Sequence, residues 1–220
     1  MCPTPTSFIF SISFTSLFFM SYQHEHIPYY DPLDGYSRIA SLFSQYHKQL
    51  TKRDGNAIRQ YLPRTLKGLS VLDLGWGDGR RAKQLATAWV EKRTIIDGTQ
   101  GLLDRAPWRT ETICSNLLNP LPVADESYDL LLCTFVVLHL EWVEDLFVEA
   151  RRCIKPWWRM LLVHHHERRP FVHDTWVEQF KIKTWHWPWN QITEALEEAS
   201  REVDCFDVDT ETKIFCCFPR

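Results

Sequence analysis

Three glycines at every second position follow an acid in Val71-Leu72-Asp73-Leu74-Gly75-Trp76-Gly77-Asp78-Gly79-Arg80. Glycine has no Cβ, so such a turn can take positive φ and its backbone can come close to a ligand. Arg81 to Val90 puts Ala82, Leu85, Ala86 and Trp89 on one stripe and reads as a helix. The N-terminus of that helix offers N–H groups to an electronegative group. A second acid, Asp97, ends the apolar run Thr94-Ile95-Ile96, at a spacing from Gly79 that fits one helix and a return to the sheet. A carboxylate placed there accepts both hydroxyls of a ribose. Further on, His164-His165-His166 follows the run Met160 to Val163. The carboxyl edge of an open α/β sheet is where ligands bind, so these histidines, with His139, are the candidates for a base or for lining an acceptor site. Structural polar contacts, and loop anchoring for His139, are the plainer readings. Adjacent strand residues point to opposite faces. Three consecutive histidines therefore do not converge, and no metal site is expected.

The glycine pattern separates two ligand classes. A dinucleotide fingerprint requires G-x-G-x-x-G, and Arg80 stands at its third glycine. That disfavours a nicotinamide-dependent oxidoreductase. The pattern D-x-G-x-G-x-G instead resembles motif I of the class I S-adenosylmethionine (SAM)-dependent methyltransferases. Other stretches resemble the same family. Leu102-Leu103-Asp104-Arg105-Ala106 is similar to the helix after its second strand, and Leu121-Pro122 with Asp125 to Asp129 to the run before its fourth. Phe135 to Leu140 matches the following loop and helix start, and Lys155-Pro156-Trp157-Trp158-Arg159 matches K-P-G-G-R with tryptophan at both glycines. The resemblance covers about residues 37–220 and is specific from 69 to 165. It assigns Asp73, Leu74, Gly75, Trp76, Gly77, Gly79, Asp97, Gly98, Asn116, Leu117 and Thr134 to the cofactor. Asn116-Leu117 stands where the family has an acid and a hydrophobic residue beside the adenine, and an amide can still bond the adenine edge.

The implied fold is α/β: a Rossmann-like, doubly wound, mostly parallel seven-stranded sheet with an antiparallel last strand. Strands are expected at Thr94–Asp97, Glu111–Asn116, Leu130–Cys133, Asp204–Val208 and Ile214–Phe218. Helices are expected at Ser37–Gln49, from Asn56 to near Pro63, at Trp142–Ile154, and after an Asn190 cap. Phe171 to Trp185 alternates enough for a hairpin. Residues 20–68 read as an N-terminal helical cap, whose Tyr29 to Tyr36 stretch either closes over the cofactor, as helices ahead of motif I do in the family it resembles, or simply packs, and 69–220 as the methyltransferase domain. Residues 1–19 read as a mistaken start or a non-structural hydrophobic leader. Phe8 to Met20 is too short to span a membrane and lacks a basic n-region and an A-x-A-like site.

Composition sets the remaining bounds. The 220 residues are 45% hydrophobic and 24% charged with a formal net charge of −3, which describes one globular domain without the electrostatic footprint of a DNA-binding protein. Arg168, Arg169, Lys181 and Lys183, interleaved with Trp185, Trp187 and Trp189, are offset by Glu167, Asp174 and Glu178 and read as a solvated face. The seven cysteines show no C-x-x-C and read as reduced core residues of a cytoplasmic protein. No glycine follows Gly101, whereas eight of the ten tryptophans do. Glycine codons read as tryptophan would account for both facts. If the tryptophans are genuine, residues 157 and 158 are expected in a strained turn, because tryptophan adopts positive φ poorly, and Trp76 is expected to crowd the cofactor.

The function implied by the resemblance is transfer of the SAM methyl group to an O, N or C nucleophile. A small-molecule acceptor is favoured over protein or RNA, and no membrane partner is expected. The alternative is a non-catalytic binding or regulatory protein on the same fold.

Overall fold

A computed structural model describes residues 27–46, 55, 58–75, 77–79, 90–166, 172–200 and 202–218. The leader, Trp76, the Asn56 cap and the stretch from Arg80 to Trp89 lie outside the described residues.

The strands of the main sheet are β2 (Ser70–Leu74), β3 (Lys92–Asp97), β4 (Glu111–Cys114), β5 (Tyr128–Thr134), β6 (Ile154–His165), β9 (Glu202–Asp207) and β10 (Thr212–Phe218). They lie in the order β4-β3-β2-β5-β6-β10-β9. Neighbours from β4 to β6 are parallel, and β10 runs antiparallel to both β6 and β9. The sheet is therefore mostly parallel with one reversed strand, the last in sequence.

The central strands β2 and β5 are buried along nearly their whole length because both faces are covered. Leu72, Leu74, Leu131, Cys133, Met160, Leu162 and Phe215 pack in one cluster with α4 (Glu144–Cys153) and α5 (Trp189–Ala199). Their alternates Val71, Leu130, Leu132, Leu161, Val163 and Ile214 pack on the other face with Ile58, Leu66 and Leu69. The period of two along each strand thus fills two cores.

A second sheet covers the carboxyl ends of these strands. It joins β1 (Tyr29–Tyr30), parallel to β8 (Gln179–Ile182), and β7 (Val172–Asp174), antiparallel to β8. The short helices α1 (Pro32–Ile39) and α2 (Phe43–Tyr46) complete the cap. Ile39, Ala40, Phe43, Phe180 and Ile182 share a buried cluster with Leu102 of α3 (Gln100–Leu103). The cap is therefore part helix and part sheet.

Several boundaries depart from expectation. Pro32 starts α1 early, as its fixed φ suits a first helical turn, and turn residues 40–42 separate α1 from α2. Trp142 and Val143 precede α4, and Ile154 already belongs to β6. Asn190 lies inside α5, whose N-cap is Pro188 with no side-chain cap bond. Trp157 and Trp158 sit within β6 and not in a strained turn: the non-glycine residues at positive φ among the described residues are Arg109, Glu126 and Phe135. The local irregularity is taken up by a register shift against β5 between Tyr128 and Leu130, and Trp157 is 88% exposed. Cys133, Cys153, Cys216 and Cys217 are buried thiols, while Cys114 and Cys205 are exposed.

Candidate functional site

The sheet reverses its winding between β2 and β5. From β2 the chain moves outward to β3 and β4; from β5 it moves the other way to β6. Loops at such a point part and leave a crevice beyond the strand ends. A cavity of about 410 Å³ lies there, mostly apolar in its walls. Gly75 after β2, Asp97 at the end of β3, Phe135 and Val136 after β5, and His165 at the end of β6 all reach it. From the cap come Asp31, Leu33, Tyr36, His173 and Lys183.

The glycine turn is shaped by close approaches. Gly75 has φ +70°, and a Cβ there would lie 2.5 Å from Val136 Cγ2. Its N–H donates to the Ile96 carbonyl at 2.8 Å, which ties the turn to β3. A Cβ on Gly77 would meet Leu102 Cβ at 2.5 Å and Asp97 Cγ at 3.1 Å. Gly79 has φ +64°, and a Cβ on Gly98 would collide with the Leu33 side chain. The first turn of α1 therefore lies directly on the β3 end.

Asp97 organises this corner. One carboxylate oxygen accepts the Gly77 N–H at 3.0 Å and the other the Thr99 N–H at 2.7 Å. The Thr99 side chain bonds the carboxylate as well, and of its roughly four acceptor directions one remains for a ligand hydroxyl. Burial pushes its pKa up to about 6, against the two backbone N–H groups and the Thr99 side chain that lower it, with the nearby Asp78 carboxylate raising it further. Asn116 and Leu117 also reach the cavity, and the Asn116 side-chain oxygen accepts the Leu118 N–H at 3.0 Å. Backbone cradle, buried carboxylate acceptor and neighbouring amide edge fit an adenosine-like ligand such as SAM.

Of the residues expected to hold the cofactor, Gly75, Asp97, Gly98, Asn116 and Leu117 line the cavity. Asp73, Leu74 and Thr134 are buried beneath it, at 3%, 0% and 0% exposed. Gly77 and Gly79 shape the turn without reaching the wall, and Trp76 lies outside the described residues.

The histidines divide as strand alternation requires. His165 lines the cavity, and its Nδ1 lies 2.9 Å from Thr212 Oγ1. His164 Nε2 lies 3.1 Å from the Trp187 carbonyl, and His166 stacks near His186 and Trp189. Burial lowers the His164 pKa to about 4. His139, in the 3₁₀ turn Val137–His139, lines the cavity too. Its Nδ1 is 3.2 Å from the Lys183 carbonyl and its Nε2 is 2.6 Å from Tyr36 Oη. Desolvation pushes its pKa down to about 4.

Phe135, His173, Lys183 and Trp185 were not singled out by the sequence as cavity residues. Phe135 holds φ 58°, its N–H on the Val163 carbonyl at 2.8 Å. His173 and Lys183 reach the cavity only because the hairpin pairs with β1, and no local pattern encodes that pairing.

These features define the class I methyltransferase fold. Residues 72–157 match the family model of the methyltransferase domain. Over 111 residues, 49% of this chain, it is 33% identical to the biotin biosynthesis bifunctional protein BioHC of Cellvibrio japonicus (strain Ueda107), and it spans 22% of that protein's length. The DhpI–SAH complex superposes with a TM-score of 0.69 at 17% identity, covering 85% of this chain and 94% of that one. The [4+2]-cyclase SpnF superposes at 0.61 with 19% identity, covering 82% and 76%. A methyltransferase bound to the Haloferax volcanii Trm112 activator gives 0.68 at 14% identity, covering 86% and 97%. Among the described residues no helix is long and apolar enough to cross a membrane.

Proposed function

We propose that the cavity binds SAM and that the chain transfers its methyl group to a small-molecule acceptor. SAM supplies an activated methyl group with its own leaving group, so the protein's share is placement and exclusion of water. Asp97 takes a ribose hydroxyl, the Gly75 turn gives the cofactor's polar end a close backbone approach, and Asn116 with Leu117 borders the base. Leu33 and Tyr36 close the cavity from above. The observation that carries the reading is Asp97: a buried carboxylate, anchored by two backbone N–H groups, at the wall of a cavity of about 410 Å³. That volume falls in the range of small-molecule sites and favours a compact acceptor.

Calorimetric titration with SAM and with its demethylated product SAH tests this. Both are expected to bind. Asp97→Ala, which removes a charge-assisted hydrogen bond to the ligand, is expected to weaken both at least about tenfold. No binding to the wild-type chain contradicts the proposal. Binding without transfer to any hydroxyl, amine or carbon acceptor supports the non-catalytic alternative.

A further inference from the structure

We propose that Tyr36 and His139 form a proton-accepting couple that takes the proton from a hydroxyl acceptor bound in the cavity. This rests on the methyltransferase reading above and adds the chemical class of its acceptor.

Three separate elements build the couple. Tyr36 comes from α1, His139 from the turn after β5, and the Lys183 carbonyl from the chain after β8. A carbonyl oxygen only accepts, so the proton on the His139 ring sits on Nδ1, 3.2 Å from it. That leaves the Nε2 lone pair to accept the Tyr36 O–H at 2.6 Å. With its own proton committed, the Tyr36 oxygen can only accept from a further group. Both side chains line the same cavity as Asp97. A hydroxyl lying against Tyr36 then has a continuous path: its proton to Tyr36 Oη, and the Tyr36 proton to His139 Nε2.

The surrounding charges suit this direction of transfer. Lys183 Nζ pairs with Asp31 at 2.8 Å. His173 is held neutral near neutral pH, its pKa lowered to about 4 by burial. Glu141, Asp97 and His165 are the remaining titratable groups on the wall. His139 is likewise neutral there, so its base form is present. The acceptor's O–H bond breaks, and the electron pair left on its oxygen forms the bond to the methyl carbon. The pair of the C–S bond stays on sulfur. An imidazolium appears as the sulfonium charge disappears, so the site's net charge does not change. That conservation offsets the burial that otherwise disfavours a charged His139. A weakly basic imidazole suits an acidic hydroxyl better than an alkanol. The apolar walls, including Phe43, Leu117, Val136 and Ile182, suit an aromatic body. The acceptor class is therefore a phenol.

The rival role is a latch between cap and sheet, and His139→Gln separates the two. Glutamine can accept from Tyr36 and donate to the Lys183 carbonyl, but it cannot carry the proton. Two measurements on the full chain decide. In the first, ¹⁵N NMR of His139 without cofactor is followed during titration with phenol. Phenol is expected to shift Nε2 in the wild type and not in Tyr36→Phe. In the second, methyl transfer from SAM to phenol is compared with transfer to 4-nitrophenol. His139→Gln and Tyr36→Phe are each expected to lower kcat for phenol by about 10²–10⁴-fold with little change in KM. The loss should shrink for 4-nitrophenol, which ionises without help, and both variants should still bind SAH. Wild-type phenol turnover in His139→Gln identifies a latch and overturns the couple. A His139 signal that phenol does not move, or no turnover of either phenol by the wild type, also overturns it. If SAH fails to bind the wild type, the methyltransferase reading falls, while the NMR titration still judges the couple.

Discussion

Asp97 and Gly77 act as one unit. The Gly77 N–H holds one Asp97 oxygen at 3.0 Å, and a Cβ on Gly77 would stand 3.1 Å from the Asp97 Cγ. It would also press on Leu102 Cβ at 2.5 Å, a near-backbone atom that cannot swing away. Gly77→Ala is therefore expected to displace the carboxylate and abolish SAH binding in a calorimetric titration. Retained affinity would show that the close approach is not needed. This corner was legible from sequence, because alternating glycines after an acid leave few backbone solutions and Asp97 follows at the next strand end. Tyr36 was legible only as part of a stretch near the cofactor. Its bond to His139 spans 103 positions, and nothing local to either residue announces the partner. Phe135 is similar: its φ of 58° is imposed by the turn after β5, against the preference of its side chain.

At the level of elements, two fastenings hold the site's frame. Arg152 near the end of α4 donates to the carbonyls of Leu121 and Val123 at 2.8 Å each, and pairs with Glu149 and Asp125. Glu149 in turn accepts the Leu121 N–H at 2.7 Å. One side chain thus fixes the whole loop that leads into β5. Arg152→Ala is expected to lower stability by about 2 kcal/mol in urea unfolding, with SAH binding intact; an unchanged midpoint would contradict the assignment. The cap is fastened by Arg38 to Glu178, Lys183 to Asp31, and the Trp185 N–H to the Leu138 carbonyl. Periodicity found the hairpin within residues 171–185 but not its pairing with β1, since a strand of two residues carries no pattern of its own. Helix limits moved for local reasons as well. Pro32 starts α1 before the apolar stripe does, and the pull of β6 on Ile154 ends α4 one residue early. The tryptophans at 157 and 158 fit β6 without positive φ because the mismatch is absorbed as a shift of register with β5.

For the molecule as a whole, strand order decides where chemistry can occur. The reversal between β2 and β5 brings the glycine turn, Asp97, His139 and the cap to one crevice. The same burial that builds this crevice makes stability depend on pH. His139, His164 and His173 have pKa values lowered from 6.5 to about 4. Each contributes stability that is present above 6.5 and lost as pH falls toward 4. Asp97, raised from 3.8 to about 6, acts in the opposite sense: its contribution is present below 3.8 and lost as pH rises through 6. Three groups outweigh one, so the thermal midpoint is expected to fall as pH drops from 6.5 toward 4, and more steeply in Asp97→Asn. A flat midpoint across that window would contradict these burial effects.

If the ionised Asp97 carboxylate receives the cofactor's ribose, as proposed, SAH binding must depend on pH through that one group. SAH affinity, titrated calorimetrically, is expected to hold steady above the Asp97 pKa of about 6. Below it, affinity should fall about tenfold per pH unit as the carboxylate protonates. Asp97→Asn should bind weakly and without that dependence. Equal affinity on both sides of that pKa, or an Asp97→Asn variant that binds as tightly as the wild type, would rule out Asp97 as the group that holds the cofactor.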